Sequence, residues 1–306
     1  MNDQVIHFLE STNFGKFSSE IAYFIRPAVR IHKSFSTSGK KSHFGGLPDS
    51  MPNFQYPIFH LNQKIGIPKR EDSEVKPSFL CQIYLNEIPS LHYYLQDQQK
   101  KEGVLYFFAD LENNLTGWRD ELSGSWKVIY LNSNNPHEDN PIIKNQDNNV
   151  EMDIDLDRDD ITPFIEMRFE TVWMFGAHEH ELQMISDLFE VNDLNFYELQ
   201  KALQDQQHFN YYMHSAREAG SVSHQLFGYP GYIQNLMQEK CHEKILRKYD
   251  GEVDSKMEDW ILLLQLDSDE DLNWGFGDSG ILFFWIRKQD LKKLDFSDVS
   301  CIFQCA

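Results

Sequence analysis

The sequence predicts an α+β protein built from two related halves that form one compact body, with mostly antiparallel sheets and flanking helices. Apolar runs of strand length recur along the chain and are joined by shorter stretches of helical periodicity. A set of short motifs also appears in the same order in both halves. With 306 residues and 41% hydrophobic side chains, the chain can bury a core of that size.

In the N-terminal half, residues 1–131, short helices are expected before strands. Residues 5–9 and 20–25 have helical patterns, and Pro27 is expected to end the second helix. The Gly- and Pro-rich residues 42–57 predict an ordered loop without a regular element. A further helix is expected over residues 91–101. Strands are expected at residues 28–35, 79–85, 104–110 and 126–131.

A shift in composition separates this half from the C-terminal half, residues 166–306. Residues 132–165 are rich in Asn and Asp and predict an acidic linker. The alternating carboxylates Asp153, Asp155, Asp157 and Asp159 resemble a Ca²⁺ loop, but the sixth position lacks the required Gly, so an exposed linker is favoured. The C-terminal half predicts strands at residues 166–175, 260–267 and 281–287, and helices at 180–191 and 194–212.

The internal repeat consists of three features. Ser42-His43 followed by Gly46-Leu47-Pro48 resembles Ser223-His224 followed by Gly228-Tyr229-Pro230; the apolar run around Gln82 resembles that around Gln265; and the strand after Gly103 resembles the strand after Gly280. A buried Gln left unpaired costs about 1–3 kcal/mol. We therefore predict that Gln82 and Gln265 hydrogen-bond to the backbone of the Gly-x-Pro loops, with ligand contact as the alternative.

Composition limits the classes of partner. The net charge is −20, from 48 acidic and 28 basic side chains, which argues against an extensive nucleic-acid surface and against anionic membranes. It favours a basic protein partner. The N-terminus lacks a signal-peptide pattern, and the longest apolar runs are too short to span a bilayer. The four cysteines show no Cys-x-x-Cys spacing, so we expect reduced thiols in a cytoplasmic protein.

The repeated motifs also carry a family resemblance. They include Gly46-Leu47-Pro48, the run around Gln82, residues 103–108, His224 with the second Gly-x-Pro, residues 262–270, Trp274, Gly277-Asp278-Ser279-Gly280 and residues 303–305. Together they resemble the YwqG-like family, from about residue 27 to the C-terminus. Phe276 after Gly275 departs from the family pattern and lengthens this connector. The family has no established function, and the resemblance implies a binding role, since related domains occur in toxin-immunity loci.

Six residues are candidates for a binding site. His43 and His224 hold matching positions in the repeat and could face one groove or anchor their own loops. Trp274, Asp278, Asp267 and Asp269 lie in the acidic connector that follows residue 266. Ser279 with Asp278 and His224 could suggest nucleophilic chemistry, but Asp and Gly are also what a turn between strands requires.

No metal or cofactor is predicted. His178 and His180 form the best metal-like cluster, because on a strand they would share a face, but they lack the His-Glu-x-x-His helix motif. Exposed polar residues at a helix start are the favoured interpretation. Elemental analysis would decide between the two.

The sequence therefore favours a non-enzymatic binding protein. Its most specific form is an acidic, immunity-like protein that neutralises a basic effector or toxin. The alternative is an enzyme or small-molecule binder with a cleft between the two halves, lined by His43, His224, Trp274 and Asp278. That alternative predicts that the four side chains converge on one pocket.

Overall fold

A computed structural model describes most of the chain. The described residues are 2–36, 41–49, 54–60, 74–95, 102–111, 126–132, 161–204, 222–234 and 237–305. The predicted linker and its alternating Asp153–Asp159 carboxylates lie outside them, apart from residues 132 and 161–165. No helix among the described residues is long and apolar enough to cross a membrane.

One ten-stranded antiparallel sheet organises the molecule, in the order β12-β11-β10-β9-β1-β8-β2-β5-β6-β7. Its strands are β1 (Ile25–Ser34), β2 (His43–Phe44), β5 (Ser78–Tyr84), β6 (Val104–Ala109), β7 (Trp126–Leu131), β8 (Ile165–Phe175), β9 (His224–Phe227), β10 (Trp260–Asp267), β11 (Ile281–Arg287) and β12 (Ser300–Gln304). The short strands β3 (Phe59–His60) and β4 (Glu74–Val75) pair separately. The prediction of a mostly antiparallel sheet is confirmed.

The two halves of the chain exchange strands in this sheet. β1 belongs to the N-terminal half but lies between β8 and β9 of the C-terminal half. β8 in turn lies between β1 and β2. The segment 132–165 therefore does not divide the sheet into two separate units.

β5, β6 and β11 are continuous apolar runs because both faces of the sheet are covered at these strands. On β11, Leu282 and Phe284 face the main core, whereas Phe283 and Trp285 face a second cluster with Cys241 of α5 (Gln238–Lys248). Residues 54–59 cover the corresponding face of β5 and β6. A strand buried on both faces has a continuous hydrophobic sequence, whereas a half-buried strand alternates hydrophobic and polar residues.

The sheet curls into a nearly closed barrel. Phe107 of β6 and Phe284 of β11 meet across its interior, with ring centroids 5.2 Å apart. At the edges, the Trp126 indole N–H of β7 donates to the Val299 carbonyl, just before β12, over 3.1 Å. We call the region between β7 and residues 296–300 the seam.

Helices pack beside the barrel. α1 (Asn2–Glu10), α2 (Ser18–Tyr23), α3 (Leu182–Val191) and α4 (Phe196–Gln204) surround one apolar cluster with β1 and β8, and α6 (Lys288–Lys293) follows β11. The predicted helix over residues 5–9 is confirmed with a longer extent. The second helix ends at Tyr23 and its chain continues as β1, so Pro27 does not end it.

Two other local predictions need correction. Residues 42–57 were expected to hold no regular element, yet His43 and Phe44 form β2 between β5 and β8. Residues 91–93 form a 3₁₀ turn rather than the start of a long helix, and residues 96–101 lie outside the described part of the chain. Both errors arise because tertiary pairing and packing override local propensity.

Candidate functional site

The acidic connector runs from Asp267, the last residue of β10, to Gly280 before β11, and its own carboxylates stabilise its turns. Asp269 and Trp274 exchange reciprocal backbone hydrogen bonds of 2.9 Å. The Asp269 carboxylate accepts the backbone N–H of Asp271 over 2.9 Å and begins a 3₁₀ turn. Asn273 ends that turn in the left-handed region with φ 54°. Asn tolerates this conformation better than most residues.

His224 lies buried beneath the connector, and the chain engages both of its ring nitrogens. The backbone N–H of Asp267 donates to Nδ1 over 3.1 Å. This bond assigns the proton of the neutral ring to Nε2, which lies 3.1 Å from Oδ2 of Asp269. His224 therefore joins β9, the end of β10 and the connector.

Asp269 is a buried anion with two side-chain partners among the described residues, His224 and Lys33. Its side chain is 1% exposed, and Lys33 Nζ of β1 lies 2.7 Å from Oδ1. Burial alone would raise the pKa of this carboxyl, but the hydrogen bonds from His224 and Lys33 outweigh it and hold the pKa at about 2. Lys33 also pairs with the exposed Asp271. The connector is thereby tied to β1 by charge.

Asp267 and Trp274 complete this cluster. Asp267 is fully buried, and its Oδ2 accepts the backbone N–H of Ser223 over 3.0 Å. The Trp274 ring is 3% exposed and packs edge-on against His224 and Phe44, with ring centroids 5.9 and 5.8 Å apart. Four of the six predicted site residues, His224, Asp267, Asp269 and Trp274, therefore lie together.

His43 lies in β2, which β1 and β8 separate from β9 in the sheet, and it has different neighbours. Its Nδ1 lies 2.9 Å from the Gly45 carbonyl, and its ring contacts Phe164 with centroids 4.4 Å apart. The next residue, Phe44, meets the His224 ring instead, because successive residues of a strand point to opposite faces. Burial lowers the pKa of His43. This geometry corresponds to a histidine that anchors its own loop.

Asp278 lies apart from the buried cluster, on an exposed turn at residues 277–279. Ser279 follows in the left-handed region with φ 51°. The exposed carboxylates of the connector are those of Glu270, Asp271 and Asp278. The connector thus has an acidic outer surface, and its buried Asp267 and Asp269 form a network with His224 of β9.

His178 and His180 lie at the start of the C-terminal helices. Their rings are parallel within 13° and 6.0 Å apart. The His178 backbone N–H donates to the buried Glu181 over 2.8 Å, and Arg26 forms an ion pair with that carboxylate. Burial first, and then the nearby Arg26, lower the pKa of His178. Among the described residues, no group of three or more His, Cys, Asp or Glu could hold a metal ion.

Sequence reasoning missed a pocket of about 520 Å³ at the seam. We call it the seam pocket. It is lined by residues 126–128 of β7, residues 241, 244, 245, 247 and 248 of α5, Trp260, residues 296–299 before β12, and Ser300 of β12. The one sequence signal was the spacing of Lys244, Arg247 and Lys248, which places basic side chains on one side of a helix. Nothing in the sequence indicated that β7 would face them.

Fold and site together define a nearly closed antiparallel barrel-like protein with a charged connector and a pocket at its seam. A family described as a domain of unknown function (DUF1963) matches residues 42–305, and the chain belongs to that family. No curated protein matches the chain.

Proposed function

We propose that this chain is a non-enzymatic binding protein whose acidic connector receives a basic partner protein. The observation that carries the proposal is the difference between buried and exposed polar groups in the connector and in His224 beneath it. His224, Asp267 and Asp269 are buried and bonded to the chain itself. The carboxylates of Glu270, Asp271 and Asp278 are exposed. An ordered acidic turn suits electrostatic recognition of a basic surface.

The most specific form of the proposal is an immunity-like protein that neutralises a basic effector or toxin. The net charge of −20 supports a basic partner and disfavours nucleic acid and anionic membranes. Free thiols on all four cysteines suit a cytoplasmic location. We propose that the chain is related to the YwqG-like family, and that resemblance favours the same role.

The experiment is affinity capture from the native host, with bound proteins identified by mass spectrometry. The test variant combines Glu270→Gln, Asp271→Asn and Asp278→Asn. The matched control combines Glu252→Gln, Asp254→Asn and Glu258→Gln, which are exposed near the other end of β10 and change the charge equally. We expect a basic protein on the wild type and the control, with recovery from the test variant reduced about tenfold.

Salt provides a second criterion. Binding through exposed charges weakens as the Debye length shortens to about 3 Å at 1 M ionic strength. A capture that returns no basic protein, equal recovery from the two triple variants, or binding that resists high salt would each contradict the proposal.

We also propose that the two halves are copies of one ancestral unit. The Gln82 Oε1 accepts the backbone N–H of the residue after Pro48, and Gln265 Oε1 accepts that of the residue after Pro230, over 2.7 and 2.9 Å. Both Nε2 groups donate to a carbonyl shortly before the repeated histidine. These bonds confirm the predicted structural role of the two Gln side chains, and their match supports duplication.

Backbone irregularities at equivalent positions support duplication further. β5 and β10 each have a register shift that begins three residues before the Gln. The Gly-x-Pro loops each contain two consecutive left-handed residues: Gly45 and Gly46 with φ 56° and 67°, and Phe227 and Gly228 with φ 59° and 70°. Bulges and left-handed pairs are specific features that unrelated segments seldom share in sequence order.

A further inference from the structure

The seam pocket has a basic wall in an acidic protein. Among the described residues that line it are four basic side chains, Lys127, Lys244, Arg247 and Lys248, and one carboxylate, Asp298. That carboxylate has cationic partners of its own: Lys248 Nζ lies 2.6 Å from Oδ1, and Arg287 lies 3.2 Å from Oδ2. The wall is therefore net positive while the whole chain carries −20. Such a local inversion of charge favours a small anion.

Two buried polar groups of the lining residues lack hydrogen-bond partners. Trp260 is 1% and Ser300 is 3% exposed, and neither the indole N–H nor the hydroxyl bonds to any described residue. Buried donors are almost always paired in folded proteins. Oxygen atoms of a bound ligand would supply acceptors for them. This observation is independent of the charge on the wall.

The pocket also has aromatic surface. Trp126 lies at its edge, with Lys244 Nζ 3.6 Å from the ring centroid in a cation–π contact. Phe296 lines the same pocket. Ligand sites commonly join apolar walls to a few polar groups in volumes of about 300–1,000 Å³. The pocket thus suits a ligand with both an anionic group and an apolar or ring-shaped part.

We propose that the seam pocket binds a small organic phosphate. Lys and Arg are the usual partners of phosphate oxygens, and the four basic side chains less Asp298 leave a net charge of about +3, which offsets a group that carries about two negative charges. The pocket is concave and small, and the acidic remainder of the chain repels extended polyanions. This site uses residues distinct from those of the connector. The phosphate proposal is therefore independent of the proposed basic partner.

Isothermal titration calorimetry on the full chain tests the proposal with three probes: AMP, inorganic phosphate and adenosine. AMP is expected to bind most tightly, inorganic phosphate more weakly, and adenosine at least about tenfold more weakly than AMP, because it lacks the charged group. Raising the salt concentration is expected to weaken AMP binding.

Variants localise the binding. Lys244→Met and, separately, Lys127→Gln are each expected to weaken AMP binding about tenfold. Lys240→Met removes the same charge from the exposed side of α5, outside the pocket, and is expected to leave it unchanged. Lys127 is itself exposed on an edge strand, so its substitution is expected to leave the fold intact.

Four results would overturn the proposal. They are no binding of AMP or inorganic phosphate below about 1 mM, adenosine affinity equal to that of AMP, AMP affinity equal to that of inorganic phosphate, and unchanged AMP affinity in both pocket variants.

Discussion

Asp269 fixes the position of the connector through bonds to other parts of the chain. It accepts bonds from His224, from Lys33 and from its own connector, while water scarcely reaches it. The sequence predicted Asp269 and His224 as neighbours of a site, but not that they contact each other. Lys33 had no sequence signal, because its position in β1 becomes meaningful only when β1 lies beside β9.

The stability of the protein is expected to fall in acid through this residue. The pKa of Asp269 is about 2 in the folded chain, below the value of about 3.9 for an unfolded chain. The unfolded state therefore binds more protons between these values, and the stabilising contribution is lost as the pH falls from about 4 to about 2.

Asp269→Asn is expected to lower the free energy of unfolding by about 2 kcal/mol at neutral pH and to remove this part of the acid dependence. Urea unfolding at a series of pH values measures both effects. Asp278→Asn changes the same charge on the exposed turn and serves as the control. Identical pH profiles for wild type and Asp269→Asn would refute this assignment.

At the scale of the element, the loop after β9 contains an unusual residue. Phe227 has φ 59°, a left-handed conformation that costs non-glycine residues about 1–2 kcal/mol. Its ring stacks on Tyr94, with centroids 3.9 Å apart. The equivalent position of the first loop is Gly45, which adopts this conformation without strain. In the second loop, the packing of Phe227 against Tyr94 offsets the strain.

This left-handed conformation predicts that Ala and Gly variants have opposite orders of stability at Phe227 and at an ordinary strand position. Phe227→Ala and Phe227→Gly both lose the ring, but Gly relieves the backbone, so the Ala variant is expected to be less stable by about 1 kcal/mol. At Phe44, whose φ is not positive, the usual order is expected, with Gly less stable than Ala by about 0.5–1 kcal/mol. Thermal and urea unfolding of the four variants measures these differences in stability. A Phe227→Ala variant that is more stable than Phe227→Gly would contradict the prediction.

The repeated Gln gives the element-scale test of duplication. Gln82→Leu and Gln265→Leu are each expected to destabilise the protein by about 2–4 kcal/mol, because each leaves loop backbone groups unpaired. Gln183→Leu on the exposed face of α3 is the control and is expected to change stability by less than about 0.5 kcal/mol. A large effect at only one of the two buried positions would argue against equivalent roles.

At the scale of the whole molecule, strand positions were predictable but their partners were not. The apolar runs at β5, β6, β7, β10 and β11 predict strands from the sequence, because hydrophobic periodicity depends on local sequence. Partner choice depends on contacts between distant residues, so the exchange of β1 and β8 left no local pattern. The seam pocket was hidden for the same reason, since its walls come from β7, α5 and the approach to β12.

The seam is expected to open when its indole bond is removed. Trp126→Phe keeps a ring but loses the N–H that donates to Val299. Because one hydrogen bond contributes about 1 kcal/mol, amide exchange in β7 and β12 is expected to accelerate about fivefold, with little change in β1 and β8. Hydrogen-exchange mass spectrometry measures this.

Trp173→Phe in β8 is the matched control and lies away from the seam. Faster exchange spread evenly over all strands in Trp126→Phe, or none in β7 and β12, would show that this bond does not govern local opening.

The positions of β1 and β8, each placed among strands of the other half of the chain, also have a consequence for biosynthesis. β1 leaves the ribosome well before β8 and β9, yet its Val29 pairs with Thr171 of β8 and Leu226 of β9. Until then, β2 lacks its neighbour β8 and the early strands have an unpaired side. Truncated chains ending before β8 should therefore expose a sheet edge to other chains, so we expect the nascent protein to depend on chaperone protection until β8 and β9 have emerged.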